Sequence, residues 1–137
     1  MRLQATATYR PRGDLGRWIG TNITPAVVAS VKASAVLIQQ AAQAICPVDT
    51  GALRESITTE VEEGKTVVGR VSPHVPYAVY VEFGTGIRGA ASPGAGKGPY
   101  SDTWPGMVAQ PYMRPALDGN RKAVEDLFRN EIALALR

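Results

Sequence analysis

The sequence has little of what most covalent or metal chemistry requires. It holds one cysteine, Cys46, and one histidine, His74, among 137 residues. A single cysteine excludes a disulfide within the chain, and so small a set excludes the cysteine and histidine clusters that bind zinc. A chain without disulfides suits a reducing compartment such as the cytoplasm of a cell. We therefore predict no metal, no cofactor, no small-molecule ligand and no enzymatic activity.

Long apolar runs and a large excess of charge are also missing. No run approaches the length of a membrane span, and the first residues lack the apolar core of a signal peptide, so we expect no membrane partner. A net charge of +3 is too small for a dedicated nucleic-acid binder, although three arginines, Arg10, Arg12 and Arg17, gather near the start. An apolar content of 45% is enough for the core of one domain.

The clearest pattern is that of a helix over residues 24–45. Thr24 is expected to cap it, Pro25 suits its first turn, and Pro47 is expected to stop it. Apolar residues recur at steps of three and four: Val28, Val31, Ala35, Ile38, Ala42 and Ile45. Between Val27 and Cys46 the only charge is Lys32. The surface of this helix outside the apolar stripe is thus almost without charge. Such a surface favours packing against a partner subunit, because interface cores are depleted of charge. The alternative is an ordinary exposed helix of low charge.

The remaining patterns complete an α+β fold. Residues 57–71 predict a hairpin, and the alternation over 77–83 predicts a third strand whose first turn could be helical. Residues 84–106 hold seven of the fourteen glycines and predict a long loop that orders only against neighbours. A final amphipathic helix is expected from Pro115 or Asp118 to Leu136. We thus expect a long N-terminal helix, an antiparallel sheet of three or four strands, and a C-terminal helix packed on that sheet.

The domain organisation follows from these elements. We predict an N-terminal arm over residues 1–23, which begins with a strand or extended segment, and a single α+β domain over residues 24–137. The loop over 84–106 belongs to that domain.

The tripeptide Asp49-Thr50-Gly51 is the sequence that carries the catalytic carboxylate of aspartic proteases. That chemistry needs two aspartates close enough to share a proton, on loops that follow apolar strands. Here Asp49 follows a predicted helix, and the chain has one such tripeptide. A Cys46–His74 pair is possible in geometry but has no support in the sequence. "GAGKGPYS" resembles a phosphate loop only loosely, because it follows no predicted strand, opens no predicted helix and has Pro99 directly after Gly-Lys-Gly.

A structural role explains the tripeptide better. The side chain of Asp49 or Thr50 can accept hydrogen bonds from nearby backbone amides and cap a one-turn helix, and Gly51 permits a positive φ. Leu53 is then expected in the core, with Arg54 outside. We call the segment the elbow; it comprises Pro47, Asp49, Thr50, Gly51, Leu53 and Arg54.

Three segments together resemble one family: "PVDTGALRESI", "PYAVYVEFGTG" and "QPYMRPAL". In this order, ahead of an amphipathic helix, they resemble the tail-completion, or neck, family of long-tailed bacteriophages. The residues that match are the elbow with Ser56; Tyr77, Ala78, Val81, Glu82, Phe83, Gly84 and Thr85; and Gln110, Pro111, Met113, Arg114, Pro115 and Leu117. The first twenty residues and the long 86–106 insertion depart from the family pattern.

The resemblance implies a structural subunit of the virion, several copies of which form a ring at the head–tail junction. Its expected partners are further copies of itself and neighbouring connector, tail terminator or tail tube proteins, with possible contact to packaged DNA. Assembly would take place in the cytoplasm of the bacterial host. Glu82 is expected to pair with Arg54 or Arg114. The candidate interface residues are Val27, Ser30, Ser34, Gln39, Gln40, Tyr77, Tyr80, Glu82, Phe83, Gly84, Thr85, Trp104, Tyr112, Met113, Arg114 and Pro115.

A second hypothesis from another class remains open. The chain would be an assembly factor or a nucleic-acid-binding accessory that uses Arg10, Arg12, Arg17 and Lys97. Affinity for DNA would then fall steeply with salt, because bound counterions are released.

Overall fold

The computed structural model describes residues 3–8, 13–86 and 105–137. Arg10, Arg12, Lys97 and Trp104, and most of the predicted 84–106 loop, lie outside the described residues. The α+β class is confirmed. In chain order the elements are β1 (Leu3–Thr8), α1 (Gly13–Asn22), α2 (Thr24–Ile45), α3 (Ala52–Glu55), β2 (Thr58–Glu62), β3 (Thr66–Ser72), α4 (Ala78–Phe83), α5 (Met113–Gly119) and α6 (Arg121–Ala135).

The described strands form one antiparallel sheet in the order β1–β3–β2. The predicted hairpin is confirmed as β2 and β3, and Val61 lies opposite Gly69. Along β3, buried residues alternate with half-buried ones, and Val67, Gly69 and Val71 are buried. Gly69 faces α2, because a methyl group added to it would meet Val31. The sheet therefore has one apolar face, and α2 covers it.

Helix α2 lies between the sheet and the C-terminal helices. It packs against β3 and β2 on one side and against α5 and α6 on the other. The predicted apolar stripe is confirmed at Val31, Ala35, Ile38 and Ala42, whereas Ile45 is half exposed. The expectation that the C-terminal helix packs on the sheet is wrong. Because α2 already covers the apolar face of the sheet, α6 contacts α2 instead, and most of its large apolar residues are half-buried.

The start of α2 also differs from the expectation. Thr24 is the first residue of the helix rather than its cap, and its hydroxyl is buried without a hydrogen-bond partner among the described residues. Ile23, with helical φ and ψ of −94° and −36°, joins α1 to α2. The amide of Val27 donates to the carbonyl of Ile23 at 3.0 Å. A helix that continues from a preceding one satisfies its first amides through that helix, so it needs no side-chain cap.

The predicted third strand over 77–83 is wrong, because this segment forms the short helix α4. Its fully buried residues are Ala78 and Glu82, which are four positions apart, as one face of a helix requires. The amide of Ala78 donates to the carbonyl of Val75, and that of Val81 to the carbonyl of Tyr77. The alternation of apolar residues led to the wrong prediction of a strand, because a segment of six residues is too short for periodicity to distinguish a helix from a strand.

The expectation that no apolar run approaches the length of a membrane span is wrong, because the stretch Leu15–Ile45 is long and apolar enough, by length and composition alone, to cross a membrane. Within the fold its buried side chains contact the sheet and the C-terminal helices. A helix at the centre of a folded core can have the same length and apolar composition as a membrane span. We therefore interpret α2 as the core helix of this domain.

We expect Gly69→Ala to lower the free energy of unfolding by about 1–3 kcal/mol, because the new methyl group would lie 2.9 Å from the Cγ1 atom of buried Val31. Urea denaturation measures the change. Gly119→Ala is the matched control, since nothing lies within 4 Å of a methyl group there. Adding Val31→Ala should recover part of the stability lost by Gly69→Ala; a purely additive double variant would contradict this contact.

Candidate functional site

The structure brings the three resembling segments into one core. Leu53 of the elbow, Ala78 of α4, and Tyr112 and Met113 of the last segment belong to a single cluster of buried residues, together with Cys46. Ala42 and Ile57 complete the centre of this cluster. Segments that are separated by up to sixty residues in sequence thus meet at the C-terminal end of α2.

The carboxylate of Glu82 holds this junction together. Its Oε2 atom accepts the amide of Tyr112 at 2.7 Å and that of Met113 at 2.9 Å, and its Oε1 atom accepts the amide of Arg114 at 3.0 Å. These are the first amides of α5, which no turn of the helix can satisfy. Glu82 is 2% exposed. A buried carboxylate with three charge-assisted hydrogen bonds fixes where α5 begins relative to α4.

The expected ion pair between Glu82 and Arg54 or Arg114 is wrong. Glu82 forms no salt bridge with a described side chain, because backbone amides occupy its oxygens. Arg114 contributes its amide, while its guanidinium lies 6.0 Å from the centroid of the Phe83 ring. A cation over an aromatic face is a weak attraction at an exposed site. The sequence showed a buried acid but not that its partner would be the main chain.

The conformation of the elbow depends on its own Gly51 and on two glutamines of α2 rather than on Asp49. Gly51 adopts a φ of 91°, as its place in the turn predicted. The expectation that Asp49 accepts backbone amides is wrong: among the described residues none donates to it, and it is exposed. Thr50 accepts the amide of Ala52 at a long 3.4 Å. Gly51 itself occupies the N-cap of α3, and no side chain at that position caps the single turn.

Two glutamines of α2 fasten the elbow to the core. Nε2 of Gln39 donates to the carbonyl of Ile57 at 2.7 Å, and Nε2 of Gln43 donates to the carbonyl of Arg54 at 3.2 Å. Leu53 is buried and Arg54 is exposed, as expected. The sequence interpretation missed this role and placed Gln39 at a subunit interface. The available signal was the presence of two glutamines at i and i+4 immediately before a turn with unpaired carbonyls.

The potential catalytic groups lie in surroundings that do not activate them. Burial raises the pKa of the Cys46 thiol, which the nearby Arg54 lowers only in part, so the thiol stays protonated. His74 is hydrogen bonded through Nε2 to the hydroxyl of Thr58 at 2.7 Å, not to Cys46. Burial, followed by the proximity of Cys46, Glu82 and Tyr77, raises the pKa of the Tyr112 phenol. Within the described ranges, no three acidic, histidine or cysteine side chains form a metal-binding group.

The two ends of the long loop are joined at a close contact. The amide of Thr85 donates to the carbonyl of Met107 at 2.8 Å, and the Thr85 hydroxyl accepts the amide of Met107 at 3.0 Å. Gly106, with a φ of 64°, lies so close that an added methyl group would be 1.9 Å from the carbonyl oxygen of Thr85. The amide of Gln110 donates to the carbonyl of Val81 at 2.8 Å. These contacts, which we call the clasp, hold residues 84–86 beside 106–110.

The predicted interface residues of α2 divide into two groups. Ser30 and Ser34 are buried within the subunit, and the hydroxyl of Ser30 donates to the carbonyl of Ala26. They therefore face the core of their own chain, which corrects their assignment to a subunit interface. Val27 is half-buried and Gln40 is exposed. The exposed side of α2 is a stripe, which we call the α2 stripe, formed by Ala29, Ala33, Val36, Gln40 and Ala44.

The other predicted interface residues also occupy different environments. Tyr112 and Met113 are fully buried in the junction core, where they cannot contact another molecule. Gly84 is buried, and Phe83 and Thr85 are half-buried. Arg114 and Pro115 are exposed. Tyr77 and Tyr80 are 44% and 43% exposed, and large apolar side chains at Ile45 and Val48 are exposed as well.

Comparison with known proteins identifies one family. Residues 15–84, just over half of the chain, match the family model HK97-gp10_like, described as "Bacteriophage HK97-gp10, putative tail-component". The match includes α2, the elbow, the hairpin and α4. No curated protein and no solved structure matches the chain.

We expect Glu82→Gln to lower the free energy of unfolding by about 2–4 kcal/mol, because an amide offers one acceptor oxygen and sets its own NH2 against a backbone donor. Urea denaturation of the two proteins side by side gives the difference. Glu125→Gln, on an exposed side of α6, serves as the control and should change stability by less than about 0.5 kcal/mol. Equal effects of the two changes would disprove the structural role of Glu82.

We expect Gly106→Ala to open the clasp, because its methyl group cannot fit against Thr85 and because alanine disfavours a φ of 64°. Hydrogen exchange at the amides of Thr85 and Met107 should become faster, while exchange in β3 stays slow. Gly64→Ala is the control, since the nearest atom to its methyl group would be 3.9 Å away. Unchanged protection of both amides would show that the clasp tolerates a side chain.

Proposed function

The chain belongs to the HK97-gp10-like family of bacteriophage tail components, and from this premise we propose that it is a ring-forming subunit at the head–tail junction. In this role it completes the tail or joins it to the head. Its partners are further copies of itself and a neighbouring connector, tail terminator or tail tube protein. Family membership implies a place in the virion, and we propose the neck as that place, with assembly in the cytoplasm of the host.

The observation that carries the proposal is the exposed, uncharged stripe on the central helix. Helix α2 has two packed sides, yet its third side presents Ala29, Ala33, Val36, Gln40 and Ala44 to the surroundings. Val36 is 42% exposed. The single charge near the stripe, Lys32, is engaged with Glu63 at 2.8 Å. A helix that faces only water normally carries charges on its outer side, as α6 does, so the α2 stripe supports contact with another subunit.

The buried cluster in which α2, the elbow, α4 and α5 meet supports the same role. A ring subunit must present its surfaces at fixed angles, because each small rotation is repeated around the ring. Glu82 fixes α5 against α4, and the two glutamines of α2 fix the elbow. The buried polar groups at this junction thus bind the main chain. These fixed contacts fit a binding role in which exposed apolar side chains supply the free energy of contact.

The proposal is tested by mass spectrometry of purified particles and by light scattering of the protein. We expect the chain in particles at several copies per virion, and larger species in solution when the neighbouring tail protein is present. Absence from purified particles would overturn the proposal. DNA binding that weakens steeply with salt, without incorporation into particles, would favour the accessory-protein alternative instead.

We expect Ala33→Glu, on the α2 stripe, to prevent incorporation into particles and assembly in solution, because a carboxylate would be desolvated at the contact. Ala123→Glu introduces the same side chain at an exposed alanine of α6 and should leave assembly unchanged. Both changes are on helix surfaces, so thermal unfolding of the two variants should match that of the parent protein. Normal incorporation of the Ala33→Glu protein would exclude the α2 stripe as an interface.

A further inference from the structure

The sheet has two open edges. Strands β1 and β2 each pair with β3, and no other described strand pairs with either of them. Among the described residues, the outer edges of both strands therefore lack a strand partner for their backbone amides and carbonyls. An edge of this kind can pair with another strand, and charges of one sign, proline or a covering element oppose such pairing. Strand β1, with the sequence LQATAT, contains neither a charge nor a proline.

The two edges differ in charge. Strand β2 carries Glu60 and Glu62, and Glu63 follows it. Glu62 binds Arg70, and Glu63 binds Lys32, but exposed Glu60 has no ion-pair partner among the described residues. The sequence on either side of β1 instead carries arginines, at positions 2, 10 and 12. One edge is thus acidic, and the other is a neutral strand within a basic stretch of sequence.

The strand directions allow the two edges to join. Both β1 and β2 run antiparallel to β3, so they are parallel to each other. Gln4 of β1 and Glu60 of β2 both lie opposite Arg70, in one row of the sheet. A second copy placed beside the first in the same orientation would set its β1 next to the first copy's β2, as a parallel pair. The row would then continue from one sheet into the next.

Charge distinguishes this arrangement from the symmetric ones. Pairing β2 with β2 would bring the glutamates of two copies together, and pairing β1 with β1 would join two strands that both lie within basic sequence. Like charges on adjacent strands are destabilising, and opposite charges are stabilising. Pairing β2 of one copy with β1 of the next is the arrangement that sets acidic against basic sequence.

We propose that β2 of one subunit binds β1 of the next copy of this chain and continues the sheet between subunits. This contact joins two different surfaces, so it repeats head to tail and closes into a ring when the rotation allows. The inference rests on the proposed ring and specifies which surfaces form it. It also predicts that assembly weakens with salt, because opposite charges at exposed edges are screened.

Cysteine cross-linking in particles or in the assembled complex tests the proposal. One protein carries Gln4→Cys, and two others carry Glu60→Cys or Glu62→Cys, which cover two registers on the same side of the sheet. Within one subunit the Cα atoms of Gln4 and Glu60 are about 10 Å apart across two strand spacings, too far for a disulfide. The parent protein is the control for Cys46, which is buried.

Mixing the Gln4→Cys protein with a β2 cysteine protein should give a disulfide-linked dimer, whereas each single variant alone should give none. A protein with both cysteines should give a ladder of higher oligomers. Dimers formed by Gln4→Cys alone, or by a β2 variant alone, would overturn the proposal in favour of symmetric pairing. Assembled protein with no cross-link in any mixture would also overturn it.

A charge variant gives a second readout. Glu60→Lys should weaken assembly roughly two- to five-fold per contact, while Glu60→Gln should weaken it less. Glu131→Lys on α6 is the control for the change in net charge. If the chain is present in particles but Glu60→Lys assembles like the parent, the edge contact fails and the structural role stands. Absence of the chain from particles would instead remove the structural role itself.

Discussion

The fold depends on one buried carboxylate. Glu82, at the end of the short helix α4, accepts three successive amides at the start of α5. Burying a charge is costly unless hydrogen bonds replace its water, and here they do. Because these amides have no partner within α5, the carboxylate and the helix start satisfy each other. The position of Tyr112 and Met113 in the core follows from this contact.

The same constraint organises the surfaces around it. With α5 fixed against α4, α6 packs along α2, and α2 is left with one open side, the α2 stripe. The clasp joins residues 84–86, at the end of α4, to residues 106–110, so these two segments are held side by side. A tail component needs defined surfaces rather than reactive groups, and the polar groups buried here serve geometry.

Two kinds of contact are then available for assembly, and they differ physically. The α2 stripe offers apolar burial with little orientation, whereas the sheet edges offer directional backbone hydrogen bonds, with glutamates on β2 and no charge on β1. A ring in which one contact supplies most of the energy and the other fixes the direction would close with a single number of subunits. Salt should affect the edge contact more than the stripe, because only the former depends on charge.

The sequence by itself determined the α+β class, the extent of α2, the hairpin and the glycine turn at Gly51, since periodicity and turn chemistry are local properties. The phage family came from the resemblance of three segments and not from periodicity. It did not determine that 77–83 is a helix, that Glu82 binds amides rather than arginine, or that Ser30 and Ser34 face inward. Those outcomes depend on which segments meet in space: α4 is six residues long, and the amides of Tyr112 and Met113 are thirty residues away from their acceptor. Only the tertiary structure brings such groups within hydrogen-bonding distance, and the free energy of burial then selects the partner.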